Sequence, residues 1–287
     1  MGINLVFPGL HASLLLQLAL FLFLAFSSAV QYDGEGKNGQ CENKKSLDPR
    51  PHSVSLLEFG AVGDGKTLNT VAFQNAIFYV KSFADKGGAQ LYVPPGSWLT
   101  GSFNLTSHLT LFLEAGAIIL GSQDYAHWDI VKPLPSYGRG IDLPGWRYCS
   151  LINGHNLSDV VITGDNGTID GQGSPTTSSG IHRIDNVTIS NLTLLNSPAW
   201  NIHPAYCRYV QVLNITVHAS PASPYTSGIV PVWVMMQLFL KSGWDEYGIA
   251  YGKPTKNVHI RSVNLQSSLG AGLAFGSEMS GGISTYL

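Results

Sequence analysis

From about residue 89 onward the chain runs in short apolar alternations, each closed by Asn, Gly, Ser or Thr. DVVITG (159–164), NVTISN (186–191), YVQVLN (209–214) and NVHIRS (257–262) share one pattern: apolar, any residue, apolar, then a turn former. A period of two is the mark of a strand with one buried face. The equivalent residues Val160, Val187, Val210 and Val258 stand 27, 23 and 48 residues apart. These spacings predict one strand repeated coil after coil, with about two repeats across the longest gap. A β-sandwich would turn more often, at roughly 8–12 residues. In a solenoid each coil stacks its inward residues on those of the next, and Asn at the corners tolerates a left-handed turn. The earlier run AQLYVPPGSWLTGSFNLTSHLTLFLEAGAIILG (89–121) keeps the same rhythm.

Upstream the period changes. Within residues 55–88, Ala72, Phe73, Ala76, Ile77, Val80 and Phe83 recur at helical spacing, with Thr67 or Asn69 available as N-cap and Gly87 as stop. The pattern predicts a short N-terminal capping α-helix over 69–84, covering the otherwise unpaired end of an all-β parallel β-helix. The same stretch holds GAVGDGKT (60–67), a literal G-x-x-x-x-G-K-[ST] match. That motif cradles phosphate inside repeated β-α units. No second such unit follows, so nucleotide binding is not expected.

Near the N-terminus, Leu14 to Phe26 is apolar except for Gln17 and is followed by Ser27, Ser28 and Ala29. As a helix it rises only about 20 Å, short of the roughly 30 Å hydrocarbon core. It reads as a secretory signal, leaving no stable membrane anchor once removed. The expected division is a signal over 1–29, a polar flexible leader over 30–50 and a β-helix domain over 51–287. N-x-[ST] sequons at Asn104, Asn156, Asn166, Asn186, Asn191 and Asn214 agree with a secreted glycoprotein. VWVMMQLFL (232–240), polar only at Gln237, is too short to span a bilayer and reads as a strand.

With 12% charged residues, 32 glycines, a formal charge of −2 and a pI near 6.5, the chain has no electrostatic footprint for nucleic acid. The three cysteines, Cys41, Cys149 and Cys207, are an odd number without metal-ligand spacing, so at least one lacks an intramolecular partner.

FGAVGDGKTLNTVAFQNAI, LYVPPGSWLTGSFNLTSHLTLFLEAGAIILGSQD, GTIDGQG, LNSPAWNIHP and SGWDEYGIAYGKPT together resemble the plant polygalacturonase-like glycoside hydrolases over about residues 53–283. The resemblance implies a right-handed parallel β-helix secreted to the cell wall, where it hydrolyses α-1,4-galacturonosyl bonds of pectin with inversion and without metal or organic cofactor. It also explains GDGKT as a turn before the capping helix. The expected partner is polygalacturonate, and the expected state a monomer.

Inverting hydrolysis needs an acid and a base about 6.5–9.5 Å apart with water between them. Residue by residue, the positions that the resemblance implies for this chemistry are empty. Pro231 is followed by Val232 where the first aspartate is expected, and only VWVMMQLF stands between Pro231 and Leu240 where the second is expected. Ala271 stands in the histidine position of the Gly-His-Gly-like turn, and the Arg-x-Lys segment would lie beyond Leu287. A further strand expected after GTIDGQG is shortened. No catalytic residue is therefore assigned. Asn201, His203, Lys241 and Glu278 are the candidates for binding substrate, Lys241 through a galacturonate carboxylate and Glu278 through sugar hydroxyls. Asp245 and Glu246 are adjacent, so on a strand they would face opposite ways. The chain reads as an internally shortened polygalacturonase, incomplete at its C-terminal end and impaired in hydrolysis. The alternatives are a non-catalytic pectin- or oligogalacturonide-binding β-helix, or a mis-spliced gene-model fragment. Pectate lyase chemistry would require a calcium-binding carboxylate cluster, and the sequence shows none.

Overall fold

The computed structural model describes residues 49–137, 147–173, 179–197, 201–218, 238–240, 245–266 and 273–275. They form a parallel solenoid of three strand columns. The first column runs through His52–Ser55, Ala89–Val93, Leu109–Leu113, Ser158–Gly164 and the leading halves of Asp185–Leu195 and Arg208–His218 to Lys256–Arg261. The second stacks Gly96–Thr100, Ala117–Gly121, Gly167–Asp170, the trailing halves of the same two long strands, and Asn264–Gln266. The third holds Phe103–Asn104, Ile152–His155, Ser179–His182 and His203–Ala205. Leu238–Leu240 packs against His203–Ala205 and pairs with Leu273–Phe275.

The alternation seen in sequence becomes continuous internal ladders. Leu91, Leu111, Ile162, Ile189, Val212 and Ile260 stack in register, as do Ala89, Leu109, Val160, Val187, Val210 and Val258. All but Ile260 in these two ladders are nearly inaccessible to solvent. Trp98, Ile119, Ile169, Leu194, Val217 and Leu265 form the matching ladder of the second column. Each rung thus removes its apolar surface from water against both neighbours, so stability is shared along the stack.

One expectation needs correction. Val210 pairs directly with Val258, 48 positions on, so the two strands stand on neighbouring coils rather than two repeats apart. A solenoid fixes the register of strands and leaves corner length free, so spacing alone miscounts coils when a corner is long. Of VWVMMQLFL, the strand Leu238–Leu240 is described; Val232 to Gln237 lie outside the described residues.

The corners explain the recurrent turn formers. His108, Asp159, Asn186, Tyr209 and Asn257 occupy successive coils at one corner, each with φ between 54° and 63°. Asn166, Asn191, Asn214 and Ser262 do so at a second corner, and Asn156, Arg183 and Tyr206 at a third. This left-handed conformation is cheap for Asn and costly, about 1–2 kcal/mol, for most other residues. That the fold imposes it on Tyr209 and Arg183 shows stacking overriding local preference. Gly88, φ 81°, belongs to the first corner, and a Cβ there would sit 2.3 Å from the His108 carbonyl oxygen. Gly88→Ala is expected to lower stability by roughly 2 kcal/mol or more, measured by urea unfolding, because both backbone strain and overlap must be relieved.

The capping helix α1 spans Thr70–Val80 and buries Ala72, Phe73, Ala76, Ile77 and Val80, as the spacing predicts. The chain then tightens into a 3-10 turn, Lys81–Lys86, ended by Gly87 in the left-handed conformation. Phe73 stacks on Phe103 with ring centroids 4.5 Å apart, which seats the helix on the first coil. The unit of described residues begins at Pro49. Arg50, read from sequence as the end of the leader, is pinned to Asp159 at 2.6 Å and to Thr110 at 3.2 Å. Burial opposes ionisation of the Asp159 carboxyl, but the Arg50 hydrogen bond, then His108, holds its pKa below the usual carboxylate range.

Candidate substrate-binding face

The third column presents the solenoid's polar face. In Ile152–His155, Ile152 and Gly154 turn inward, while Asn153 and His155 alternate outward. Register carries that alternation to the next coils: Asn104, Asn153, Gly180 and His203 form one outward row, and His155, His182 and Ala205 the next.

Asn153 is committed to the scaffold. Its amide donates to Ser150 O at 2.7 Å, Ser102 Oγ at 2.8 Å and Phe103 O at 3.3 Å, and its Oδ1 accepts from Ser150 N at 3.1 Å. Cys149 donates to the same Ser102 hydroxyl at 2.9 Å. Burial raises the pKa of the Cys149 thiol, and raises that of Cys207 to about 12. Both thiols are buried, so they behave as protonated core residues rather than nucleophiles.

His182 lies between two other imidazoles. It is registered beside exposed His155, and its ring meets that of His203 edge-on with centroids 5.6 Å apart. Its Nε2 is buried without a hydrogen-bond partner. Burial, then the His155 charge, lowers the pKa of His182 from 6.5 to about 4. Next to it, Arg183 donates to the Tyr251 hydroxyl and places its guanidinium 6.0 Å from the Tyr206 ring centroid and 5.8 Å from that of Tyr251. The Tyr206 hydroxyl is paired with Ser136, and Lys253 Nζ lies 5.6 Å from the Tyr251 centroid. Helix α2, Asp245–Tyr251, is thereby tied to the corner through Tyr251, with Arg183 and Lys253 against its ring. These are cation–π contacts of about 0.5–2 kcal/mol each.

The residues expected to bind substrate are distributed differently. His203 is on the outward row but only 4% exposed. Asn201 is 3% exposed and lines a void of about 10 Å³ with Ile152, Ile162, Ile189, Leu194 and Ile202. Lys241 and Glu278 lie outside the described residues. Asp245 and Glu246 open α2 rather than a strand, about 100° apart around its axis. Sequence reasoning did not single out His182, Arg183 or Tyr251. The available signal was the similarity of NGHN (153–156) and GIHR (180–183), which aligns two histidines just before a corner.

GDGKT has no phosphate site. The Asp64 carboxylate accepts from the Lys66 and Thr67 amides at 2.8 and 2.7 Å and from the Thr67 hydroxyl at 2.9 Å, filling the place an anion would take. Those bonds, Thr67 N–H foremost, lower the pKa of Asp64. Among the described residues no group of three His, Cys, Asp or Glu side chains comes together to hold a metal, and no helix is long and apolar enough to cross a membrane.

Solved structures agree on the fold. The chain aligns with the Family 28 exopolygalacturonase of Yersinia enterocolitica (TM-score 0.59, 19% identity, 75% of this chain and 43% of that one). It aligns also with a hyperthermoactive exopolygalacturonase from Thermotoga maritima (TM-score 0.57, 22% identity, 75% and 62%). By sequence the chain is a homologue of the polygalacturonases, a glycoside-hydrolase group: it is 49% identical over 281 residues to a "Probable polygalacturonase" of Vitis vinifera, covering 85% of this chain and 57% of that protein. A second protein of that description, from Arabidopsis thaliana, is 30% identical over 244 residues, covering 79% and 48%. The chain thus spans about half the length of these relatives. No family model matches it.

Proposed function

We propose that this chain is, by descent, a secreted polygalacturonase directed at the α-1,4-galacturonosyl backbone of cell-wall pectin, and that it binds this polymer along the third column with hydrolysis impaired. The observation that carries the reading is the lack of carboxylates in the strands of that side. Among the described residues, the strands FN, INGH, SGIH, HPA, LFL and LAF contain no aspartate or glutamate. Inverting hydrolysis requires two carboxyl groups flanking the bond. The exposed side chains of those strands, Asn104 and His155 among the described residues, offer hydrogen bonds but not the pair of carboxyl groups that this chemistry needs. Beside them Arg183 and Lys253 supply cations for the carboxylates of a polyanion, set against Asp245 and Glu246 at the start of α2.

The test is polygalacturonate presented to the purified chain in two forms. Retention on the immobilised polymer, weakened by raised salt, with no reducing ends released from the soluble polymer, is the expected outcome. Robust release of reducing ends would overturn the impairment. Failure to be retained at low salt would overturn the binding.

A further inference from the structure

The six sequons are not equivalent once the coils are stacked. Asn166, Asn191 and Asn214 lie on consecutive coils at one corner: Asn166 N donates to Asn191 O at 3.1 Å, and Asn191 and Asn214 fall between the registered pairs Ser190–Leu213 and Leu192–Ile215. All three are exposed, and their sequons are joined by side-chain hydrogen bonds along the stack. Asn214 Nδ2 donates to Asn191 Oδ1 at 2.9 Å, and Thr193, the hydroxyl residue of the Asn191 sequon, donates to Asn166 Oδ1 at 3.1 Å. Neighbouring coils are about 4.8 Å apart, narrower than a branched glycan core. Asn186 occupies a different corner. It falls between the pairs Asp185–Arg208 and Val187–Val210, which sets it beside Tyr209 on the next coil. Asn186 is exposed and Tyr209 is 54% exposed, with both backbones in the same left-handed conformation. More than half of this aromatic residue stands in solvent, and it occupies a conformation that disfavours it. A ligand that covers its ring accounts for its presence.

We propose that Asn186 carries an N-linked glycan whose first N-acetylglucosamine lies on the ring of Tyr209, and that Asn166, Asn191 and Asn214 are not glycosylated on adjacent coils of one molecule. The inference rests on the secretory reading above. In the modification, Asn186 Nδ2 forms a bond to C1 of the sugar while the C1–O bond to a lipid-pyrophosphoryl oligosaccharide donor breaks. The lipid pyrophosphate leaves with the bonding pair, and the amide releases one proton. The apolar C–H face of the sugar then meets the Tyr209 ring, while the glycan extends into solvent from a corner with no neighbouring sequon.

The full chain is expressed in a eukaryotic secretory host in two forms, with its own N-terminus and behind an efficient secretory leader, and intact glycoforms and glycopeptides are mapped by mass spectrometry. Occupancy of Asn186 in most secreted molecules, with no molecule doubly occupied at Asn166 and Asn191 or at Asn191 and Asn214, is expected. An unoccupied Asn186, or double occupancy on adjacent coils in folded secreted protein, overturns the proposal. Glycosylation only behind the added leader would refute the native signal and leave the glycan assignment standing. A second readout addresses Tyr209. Enzymatic removal of the glycan should lower Tm in the wild type and leave Tyr209→Ser unchanged, with Asn186→Gln as the unglycosylated control. Equal shifts in the two proteins would refute the stacking.

Discussion

Asn69→Ala is expected to lower the unfolding free energy by about 3–4 kcal/mol, and Asn69→Asp by a comparable amount. Asn69 is 2% exposed, just before α1, in the place of an N-cap. Its side chain makes no capping bond to the helix. Instead Oδ1 accepts from Val62 N at 2.7 Å, while Nδ2 donates to Thr67 O at 2.8 Å, Val62 O at 3.0 Å and Leu99 O at 3.3 Å. One amide thus ties the Gly-rich turn to itself and to the strand Gly96–Thr100. Alanine would leave a buried N–H and carbonyls short of partners, at about 1–3 kcal/mol for each group left unsatisfied. Aspartate separates this role from simple capping, because it is as good an N-cap as asparagine. Here it would keep the acceptor for Val62 N but set a carboxylate against three carbonyl oxygens. Urea unfolding followed by the fluorescence of buried Trp98, on the strand Gly96–Thr100 to which Asn69 is bonded, reads the effect. An Asp variant within about 1 kcal/mol of wild type would return Asn69 to the ordinary cap role.

The contrast between Asn69 and the corner asparagines marks how far the sequence was legible. Alternation of Val160 with Ile162, or Val187 with Ile189, is a local signal, and burying those residues is what the coil does, so pattern and structure agree. The corner role of Asn166, Asn191 and Asn214 is likewise local, because a left-handed φ depends on the residue itself. Partners far apart along the chain leave no such trace. Asn69 bonds across thirty residues to Leu99, and Arg50 across 109 to Asp159. The site suffered most from this. Asn201 lies in a segment that resembles sugar hydrolases, yet it is buried beside a small apolar void. Arg183, with an ordinary sequence context, gains its place only because Tyr206 and a helix beginning sixty-two residues later close around it. The coil count failed for a related reason: Val210 and Val258 are neighbours in register whatever chain length intervenes.

His182 gives the largest expected dependence on pH. Unfolded, its imidazole titrates near 6.5, whereas in the folded chain burial and the neighbouring His155 hold it neutral down to about 4. Above pH 6.5 both states are neutral and the group contributes nothing to the pH dependence. As pH falls below that value the unfolded chain takes up a proton that the folded chain refuses, so stability declines until the folded group protonates near pH 4. The loss across this window is on the order of 3 kcal/mol. Asp159 acts lower on the scale: its pKa is below 3.8, so its stabilising contribution is fully present above the unfolded pKa and fades as pH falls through the folded one. The two effects therefore separate along the pH axis. Replacing His182 with Gln should flatten the stability curve between pH 6.5 and 4 by most of that amount, whatever the substitution does at neutral pH. The comparison rests on slope, which a merely structural defect would leave alone. His155 supplies part of the effect through its charge, so His155→Gln should raise the His182 midpoint modestly, while His203, whose ring meets His182 edge-on, must be mutated separately to exclude a shared titration. Imidazole proton resonances followed against pH provide the direct check. A midpoint near 6.5 for His182 in the folded protein would defeat this account, and with it the view that the buried Nε2 resists protonation.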